Sequence, residues 1–178
     1  YFYCGQALPQ ERRADIGYIV DATAWKGEEN TYPAFNYQQF MELHQSQAPV
    51  KFLFIPYMAL TEEATACLRQ HPEVVVIAQS VHPNRLGELR GLVHQMMVQG
   101  LENPVVFFQF YQENNLEDLQ IKAAADMGAL IFDGFCDGIL IYNHGESITD
   151  IKIDETAFGI LQAGRIRTSK TEYISCPG

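Results

Sequence analysis

The stretch Val74-Val75-Val76-Ile77-Ala78-Gln79 and the later run Val105-Val106-Phe107-Phe108-Gln109-Phe110-Tyr111 decide the fold prediction. Between them, Asn84 can cap a helix that reaches Gln99, and Gly100 can end it. Runs as continuously apolar as these are typical of strands that are buried on both faces of a parallel sheet. The strand–helix–strand order therefore predicts a parallel α/β sheet.

The same alternation extends through the rest of the chain. Apolar runs of strand length predict five further strands, at residues 16–22, 50–57, 129–132, 139–142 and 172–176. Helical patterns with recognisable ends predict helices at residues 62–70 after Thr61, at 116–127 after Asn115 and at 155–163 after Asp154, and a helical stretch from Tyr37 to about residue 47. Seven strands fit either a doubly wound sheet or most of an eight-stranded barrel.

Two details favour the barrel. Asp133-Gly134 and Asp137-Gly138 join two predicted strands with almost no room for a helix, and no Gly-x-Gly-x-x-Gly follows the first predicted strand. A full barrel usually needs at least roughly 200 residues, whereas this chain has 178. We therefore predict an incomplete, parallel (β/α) barrel-like domain related to the TIM barrel, over residues 1–167. It lacks its first strand, so residues 16–22 form an exposed edge opposite the last strand, 172–176.

Composition excludes several function classes. The 12 Lys and Arg against 22 Asp and Glu give a net charge of -10, which disfavours nucleic acid as a partner. No apolar run reaches the roughly 20 residues of a membrane helix. The four cysteines form no Cys-x-x-Cys pair, so we expect reduced thiols in a cytosolic protein. The five histidines show no His-x-His or HExxH spacing, so the sequence predicts no zinc site.

In parallel barrels the chemistry lies just beyond the carboxyl ends of the strands. The candidate positions there, which include no Lys, Arg or His, are Asp21, Tyr57, Gln79, Ser80, Gln109, Tyr111, Asp133 and Asn143. An aspartate at such a place can act as acid, base or metal ligand, or it can simply cap a turn. His82 can point into the barrel mouth or into solvent, and Cys136, without a basic neighbour in sequence, is expected to be an inert thiol.

Three segments near the end of the chain carry a resemblance to a known family. They are residues 128–138 (GALIFDGFCDG), 158–167 (FGILQAGRIR) and 170–178 (KTEYISCPG), in which a Cys-Pro turn follows a β-patterned run. The chain resembles hydroxymethylbutenyl diphosphate synthase, the iron–sulfur enzyme of the non-mevalonate isoprenoid pathway. From Val50 onward it is similar, more loosely, to the central domain that is inserted in the long form of that family.

The resemblance implies a multidomain parent protein. Its family reduces 2-C-methyl-D-erythritol 2,4-cyclodiphosphate to hydroxymethylbutenyl diphosphate by a two-electron ring opening and dehydroxylation. A catalytic barrel acts with a domain that binds a 4Fe-4S cluster through three cysteines and a glutamate, and ferredoxin or flavodoxin supplies the electrons. The resemblance also implies a bacterial cytoplasmic location or, in plants, a plastid, and we favour the bacterial one.

Only Cys176 of this chain matches a cluster ligand of the family, and the other ligands would lie beyond Gly178. We therefore expect a chain cut at a domain border, with residues 168–178 as the connector into the iron–sulfur domain. We expect no cluster in this segment alone, because a cluster needs several converging thiolates.

The chain departs from the family's catalytic barrel at one motif. That barrel carries an Asp-Gly-x-Gly-Asp-Thr-Ile-Arg run, in which the arginine meets the diphosphate. Here Cys136, Gly138 and Leu140 replace its second glycine, its threonine and its arginine. The departure favours the inserted domain over the catalytic barrel, hence a non-catalytic structural spacer. A barrel that has its own regulatory or catalytic small-molecule site is the alternative.

Overall fold

A computed structural model describes residues 1–167 of the chain. Its strands are β1 Phe2–Gly5, β2 Tyr18–Asp21, β3 Thr31–Asn36, β4 Lys51–Pro56, β5 Val74–Gln79, β6 Val105–Tyr111 and β7 Gly138–Asn143. Its α-helices are α1 Glu62–Gln70, α2 Arg85–Val98, α3 Leu116–Phe132 and α4 Asp150–Ala163, and two 3-10 helices span Tyr37–Gln45 and Tyr57–Ala59. None of the helices within residues 1–167 is both long enough and apolar enough to cross a membrane.

The seven strands follow one another in the sheet in the order in which they occur in the chain. The pairs from β1 to β5 are parallel, and Lys51 pairs with Val74 at one end of the β4–β5 ladder while Pro56 pairs with Gln79 at the other. A doubly wound sheet reverses its strand order at a switch point, whereas a barrel winds in one direction. The prediction of an incomplete, parallel, barrel-like α/β fold is therefore confirmed, with seven strands in the described part of the chain.

The predicted edge strand is wrong. Residues 16–22 contain β2, which pairs with β1 on one side and with β3 on the other, so β1 is the edge strand. β1 escaped detection because it is only four residues long and ends in a glycine, which leaves too short an apolar run. The predicted partner at residues 172–176 lies outside the described residues.

β3 was also missed, because this run of six residues contains Pro33 and is not continuously apolar. Residues Thr31–Asn36 instead form a strand, and the helical stretch from Tyr37 is a 3-10 helix. Asn36 begins that helix with a capping box, since its side chain accepts the N–H of Gln38 and the Gln39 side chain accepts the N–H of Asn36.

The predicted strand at 129–132 is wrong, because these residues form the last turn of α3. The buried side chains Leu119, Ala123, Met127 and Leu130 keep helical spacing through Gly128. A glycine in a helix costs about 1 kcal/mol, which this burial offsets. Asp133-Gly134 therefore connects a helix to β7, so one of the two details that favoured the barrel was misread. α4 begins at Asp150 after Thr149, not after Asp154.

The chain divides into two compact units, Tyr1–Val106 and Phe107–Gly178. The core of the first unit is built from fully buried side chains such as Leu53, Ile55 and Ile77. In the second unit, a cluster of buried side chains joins β6 to α3 and α4: Tyr111, Leu119, Ala123, Ile148 and Ile153.

Candidate functional site

The last residues of the seven described strands are Gly5, Asp21, Asn36, Pro56, Gln79, Tyr111 and Asn143. None of these is a lysine, an arginine or a histidine, as the sequence predicted for this edge of the sheet. Fixed positive charges are what an enzyme uses to hold an anionic substrate.

Asp21 is engaged within the first unit. Its carboxylate accepts the hydroxyl hydrogen of Tyr3 at 2.6 Å, and its backbone carbonyl accepts the N–H groups of Ala24 and Trp25. Burial, together with this hydrogen bond and the nearby charge of Asp21, raises the pKa of Tyr3. The turn after β2 is thus closed by the backbone carbonyl of Asp21, whereas its carboxylate is bonded to Tyr3 and does not make the predicted turn cap.

The side chain of Asn143 also makes structural hydrogen bonds. Its Oδ1 accepts the Glu113 N–H at 2.8 Å and its Nδ2 donates to the Glu113 carbonyl at 2.9 Å. The two bonds fasten the end of β7 to the loop after β6. Tyr111, at the end of β6, donates its hydroxyl to Asp126 of α3 at 3.0 Å.

The remaining loop candidates are dispersed. Asp133 does not lie at a strand end, because it is the C-cap of α3. Tyr57 begins the short 3-10 helix that follows β4, and Ser80, next to Gln79 at the end of β5, donates to the Glu88 carboxylate in α2. His82 accepts the Asn84 N–H on its Nδ1 at 3.0 Å, so it belongs to the turn that precedes α2.

Gln109 is the exception among the predicted residues. It is 1% exposed in the interior of β6, and neither its Oε1 nor its Nε2 has a hydrogen-bond partner among the described residues. A buried amide without partners costs free energy, which water or a polar ligand would recover.

Cys136 is buried between α3 and β7. Burial raises the pKa of this thiol to about 11, the Gly138 N–H opposes the increase, and the Asp137 charge adds to it. A thiol with so high a pKa holds almost no thiolate at neutral pH, which agrees with the predicted inert role.

The structure brings together three residues that the sequence analysis did not connect: His44, Cys67 and His71. His71 Nε2 lies 2.7 Å from His44 Nδ1, and Cys67 Sγ lies 3.7 Å from His44 Nε2. Cys67 belongs to α1 and His71 is its C-cap, so both face one side at a spacing of four residues. That Cys-x-x-x-His spacing was the available signal, whereas His44 comes from the 3-10 helix Tyr37–Gln45.

An ion pair adjoins this cluster. Glu73 Oε1 accepts His71 Nδ1 at 2.9 Å and Lys51 Nζ at 2.6 Å, and the Lys51 side chain is only 5% exposed. Burial by itself would raise the pKa of Glu73, but the hydrogen bonds from Lys51 and His71 outweigh burial and lower this pKa to about 2. Lys51 and Glu73 lie at the amino-terminal ends of β4 and β5, away from the strand ends that carry chemistry in barrels.

No family model matches the chain. No solved structure is significantly similar to it. Curated relatives do match, and the chain spans about 29% of the length of the first of them.

The 4-hydroxy-3-methylbut-2-en-1-yl diphosphate synthase (flavodoxin) of Phocaeicola vulgatus is 67% identical over 179 residues, which cover 100% of this chain and 29% of that protein. The synthase of the same name from Parabacteroides distasonis is 39% identical over 178 residues, 99% of this chain and 29% of that protein. The chloroplastic, ferredoxin-named synthase of Oryza sativa is 37% identical over 94 residues, 52% of this chain and 12% of that protein. Over its whole length, the chain is homologous to one segment of the 4-hydroxy-3-methylbut-2-en-1-yl diphosphate synthases.

Proposed function

We propose that this chain is a non-catalytic structural segment of a 4-hydroxy-3-methylbut-2-en-1-yl diphosphate synthase. It acts as a spacer between the catalytic barrel and the iron–sulfur domain. The observation that carries the proposal is that each described strand ends in a residue without a positive charge. The chain itself aligns over its full length with 29% of a synthase.

The substrate of such an enzyme sets the physical requirement. A cyclic diphosphate carries several negative charges, and proteins bind such groups with positioned cations or helix N-termini. Here the Asp21 carboxylate accepts a hydrogen bond from Tyr3, the Asn143 side chain fastens the loop after β6, and the net charge of -10 adds long-range repulsion.

The activity of the whole protein belongs to the proposal too. The parent enzyme is an oxidoreductase of isoprenoid biosynthesis that converts the cyclic diphosphate into hydroxymethylbutenyl diphosphate with a 4Fe-4S cluster. Flavodoxin or ferredoxin supplies its electrons, since the names of the relatives include these two proteins. Cys176 would be one cluster ligand, outside the described residues, and the location would be the bacterial cytoplasm, since the relatives with full coverage are bacterial.

Calorimetry tests the proposal on the isolated chain. Titration with the cyclic diphosphate at low ionic strength, where screening is weakest, should give no measurable binding. A full-length synthase, titrated under the same conditions, is the positive control. Saturable micromolar binding to the isolated chain would show that it has a substrate site, which would contradict the spacer role.

The second candidate is a small-molecule site inside the sheet, and Gln109 is the observation that favours it. A buried amide with four unmet hydrogen-bonding capacities, two on its nitrogen and two on its oxygen, could hold a small polar ligand. If so, Gln109 should contribute to stability like Asn103, a buried amide that has hydrogen-bond partners.

A further inference from the structure

We propose that His44, Cys67 and His71 form a three-ligand zinc-binding site in the unit Tyr1–Val106. One ligand atom from each residue lies within 4.8 Å of the other two. The proposal goes beyond the spacer function, because that function by itself does not imply a bound metal.

The chemistry of the three side chains favours this ion. Zinc in proteins is held mainly by cysteine thiolates and histidine nitrogens, usually in fours and in tetrahedral geometry. Soft sulfur together with imidazole disfavours magnesium and calcium, which take oxygen ligands. Two histidines and one cysteine would leave the fourth position to a water molecule, and exposed His44 provides the side from which the ion can enter.

The present distances are close to those that zinc needs. Zinc–nitrogen bonds of about 2.05 Å and zinc–sulfur bonds of about 2.3 Å place tetrahedral ligands about 3.3 to 3.6 Å apart. Each histidine offers one nitrogen to an ion. Cys67 Sγ lies 3.7 Å from His44 Nε2, whereas the 2.7 Å hydrogen bond with His71 Nε2 involves the other ring nitrogen, His44 Nδ1. With one ligand atom from each residue, the three atoms lie within 4.8 Å of one another, so zinc binding requires them to move closer together.

Glu73 prepares His71 for this role. The carboxylate accepts the Nδ1–H of His71, so in the neutral imidazole the lone pair lies on Nε2, which faces the cluster. Zinc-bound histidines commonly donate their other N–H to a carboxylate in this manner. Lys51, buried at the start of β4, donates to the same oxygen, Glu73 Oε1, at 2.6 Å.

The position of the cluster indicates what a bound ion would do. It would link the 3-10 helix Tyr37–Gln45 to the end of α1 and to the residues just before β5. On binding, the Cys67 thiol loses its proton to solvent and coordinates as thiolate, with no change of oxidation state. The ion would replace hydrogen bonds between neighbouring elements by stronger coordinate bonds.

Cobalt(II) titration gives a direct test, because a cobalt–thiolate bond produces a charge-transfer band in the near ultraviolet. The metal-free 178-residue chain, carrying Cys176→Ser so that this thiol cannot contribute, should take up one equivalent of Co²⁺ with that band. One equivalent of Zn²⁺ should abolish the band. Zn²⁺ should also raise the melting temperature.

Matched variants identify the ligands. Cys67→Ser should abolish the charge-transfer band, and His44→Ala should weaken binding roughly 10- to 100-fold or more. Because His44 is exposed, its replacement keeps the test valid even if Cys67→Ser fails to fold. Cys4→Ser and His144→Ala, a thiol and an imidazole outside the cluster, should bind Co²⁺ like the parent chain. A chain that gives no band, or a band that survives both cluster variants, would overturn the proposal.

Discussion

Asn103 and Gln109 are both buried amides, but they differ in whether they have hydrogen-bond partners. Asn103 Nδ2 donates to the carbonyls of His71 and Val74 at 2.9 and 3.1 Å. Gln109 has no partner among the described residues. Removing one partner of a buried hydrogen bond leaves the other unsatisfied, which costs about 1–3 kcal/mol.

The comparison yields a prediction. Gln109→Met should leave the free energy of unfolding unchanged or raise it, because it replaces unsatisfied polar atoms by an apolar chain of similar length. Asn103→Leu should lower it by about 1–3 kcal/mol, because two carbonyls lose their donor. Urea unfolding of both variants measures the difference. An equal loss in the two variants would mean that Gln109 has a partner, which would favour the small-molecule site.

Cys136 gives a prediction with a defined pH dependence. Its folded pKa of about 11 exceeds the roughly 8.5 of an exposed thiol, so the folded chain holds this proton more tightly than the unfolded chain. The resulting stabilisation is complete below about pH 8.5 and is lost as the pH rises toward 11. The stability difference between the chain and its Cys136→Ala variant should therefore shrink over that range.

Urea unfolding at a series of pH values measures this difference, and alkylation by iodoacetamide provides an independent readout. Cys136 should react far more slowly in the folded chain than in urea at neutral pH, as peptide mapping by mass spectrometry would show. Equal rates in the two states would refute the account of Cys136 as an inert thiol.

The sequence placed some residues correctly at strand ends but did not show their partners. Asp21 and Asn143 could be placed at strand ends from apolar runs alone, since a run marks where a strand stops. That Tyr3 bonds Asp21, or that Asn143 clamps Glu113, depends on pairings between distant segments. The meeting of His44 with Cys67 and His71 has the same origin, since packing brings the 3-10 helix against α1.

At the scale of elements, the two threonine N-caps behave differently. Thr61 Oγ1 accepts the Ala64 N–H at 3.2 Å at the start of α1, whereas the Thr149 side chain makes no capping hydrogen bond at the start of α4. A capping side chain supplies one of the partners that the first turn of a helix lacks.

Thr61→Ala should therefore destabilise the chain by about 1 kcal/mol, while Thr149→Ala, the matched control, should change its stability by a few tenths at most. Thermal and urea unfolding of the two variants check the prediction. If both substitutions cost the same, the cap at Thr61 does not stabilise α1.

Elements with strong local signals were predictable, and those fixed by tertiary contacts were not. β5 and β6 have the predicted bounds, and α1 and α2 begin after the predicted caps. β1 and β3 lack long apolar runs, and pairing with β2 makes them strands. Taken alone, the sequence at the end of α3 predicts a strand. It is helical because side chains on both sides of Gly128 are buried at helical spacing.

At the scale of the whole molecule, the strand order distinguishes this chain from a doubly wound nucleotide-binding protein. The strands follow one another from β1 to β7, as in a barrel. A barrel enzyme carries its active site at the carboxyl ends of its strands. Here that edge ends in side chains without positive charge. This architecture without cations at the strand ends is the basis of the proposed spacer role.

Activity of a full-length synthase that carries this segment tests this claim most directly. Asp21→Asn, Tyr57→Phe and Gln79→Ala, introduced together, change the chemistry at or next to the strand ends with little change in volume at the first two. The spacer account predicts that turnover of the cyclic diphosphate stays within about twofold of the parent, since no group that acts on the transition state is lost. A loss of about 100-fold or more at an unchanged melting temperature would place chemistry in this segment and contradict the account.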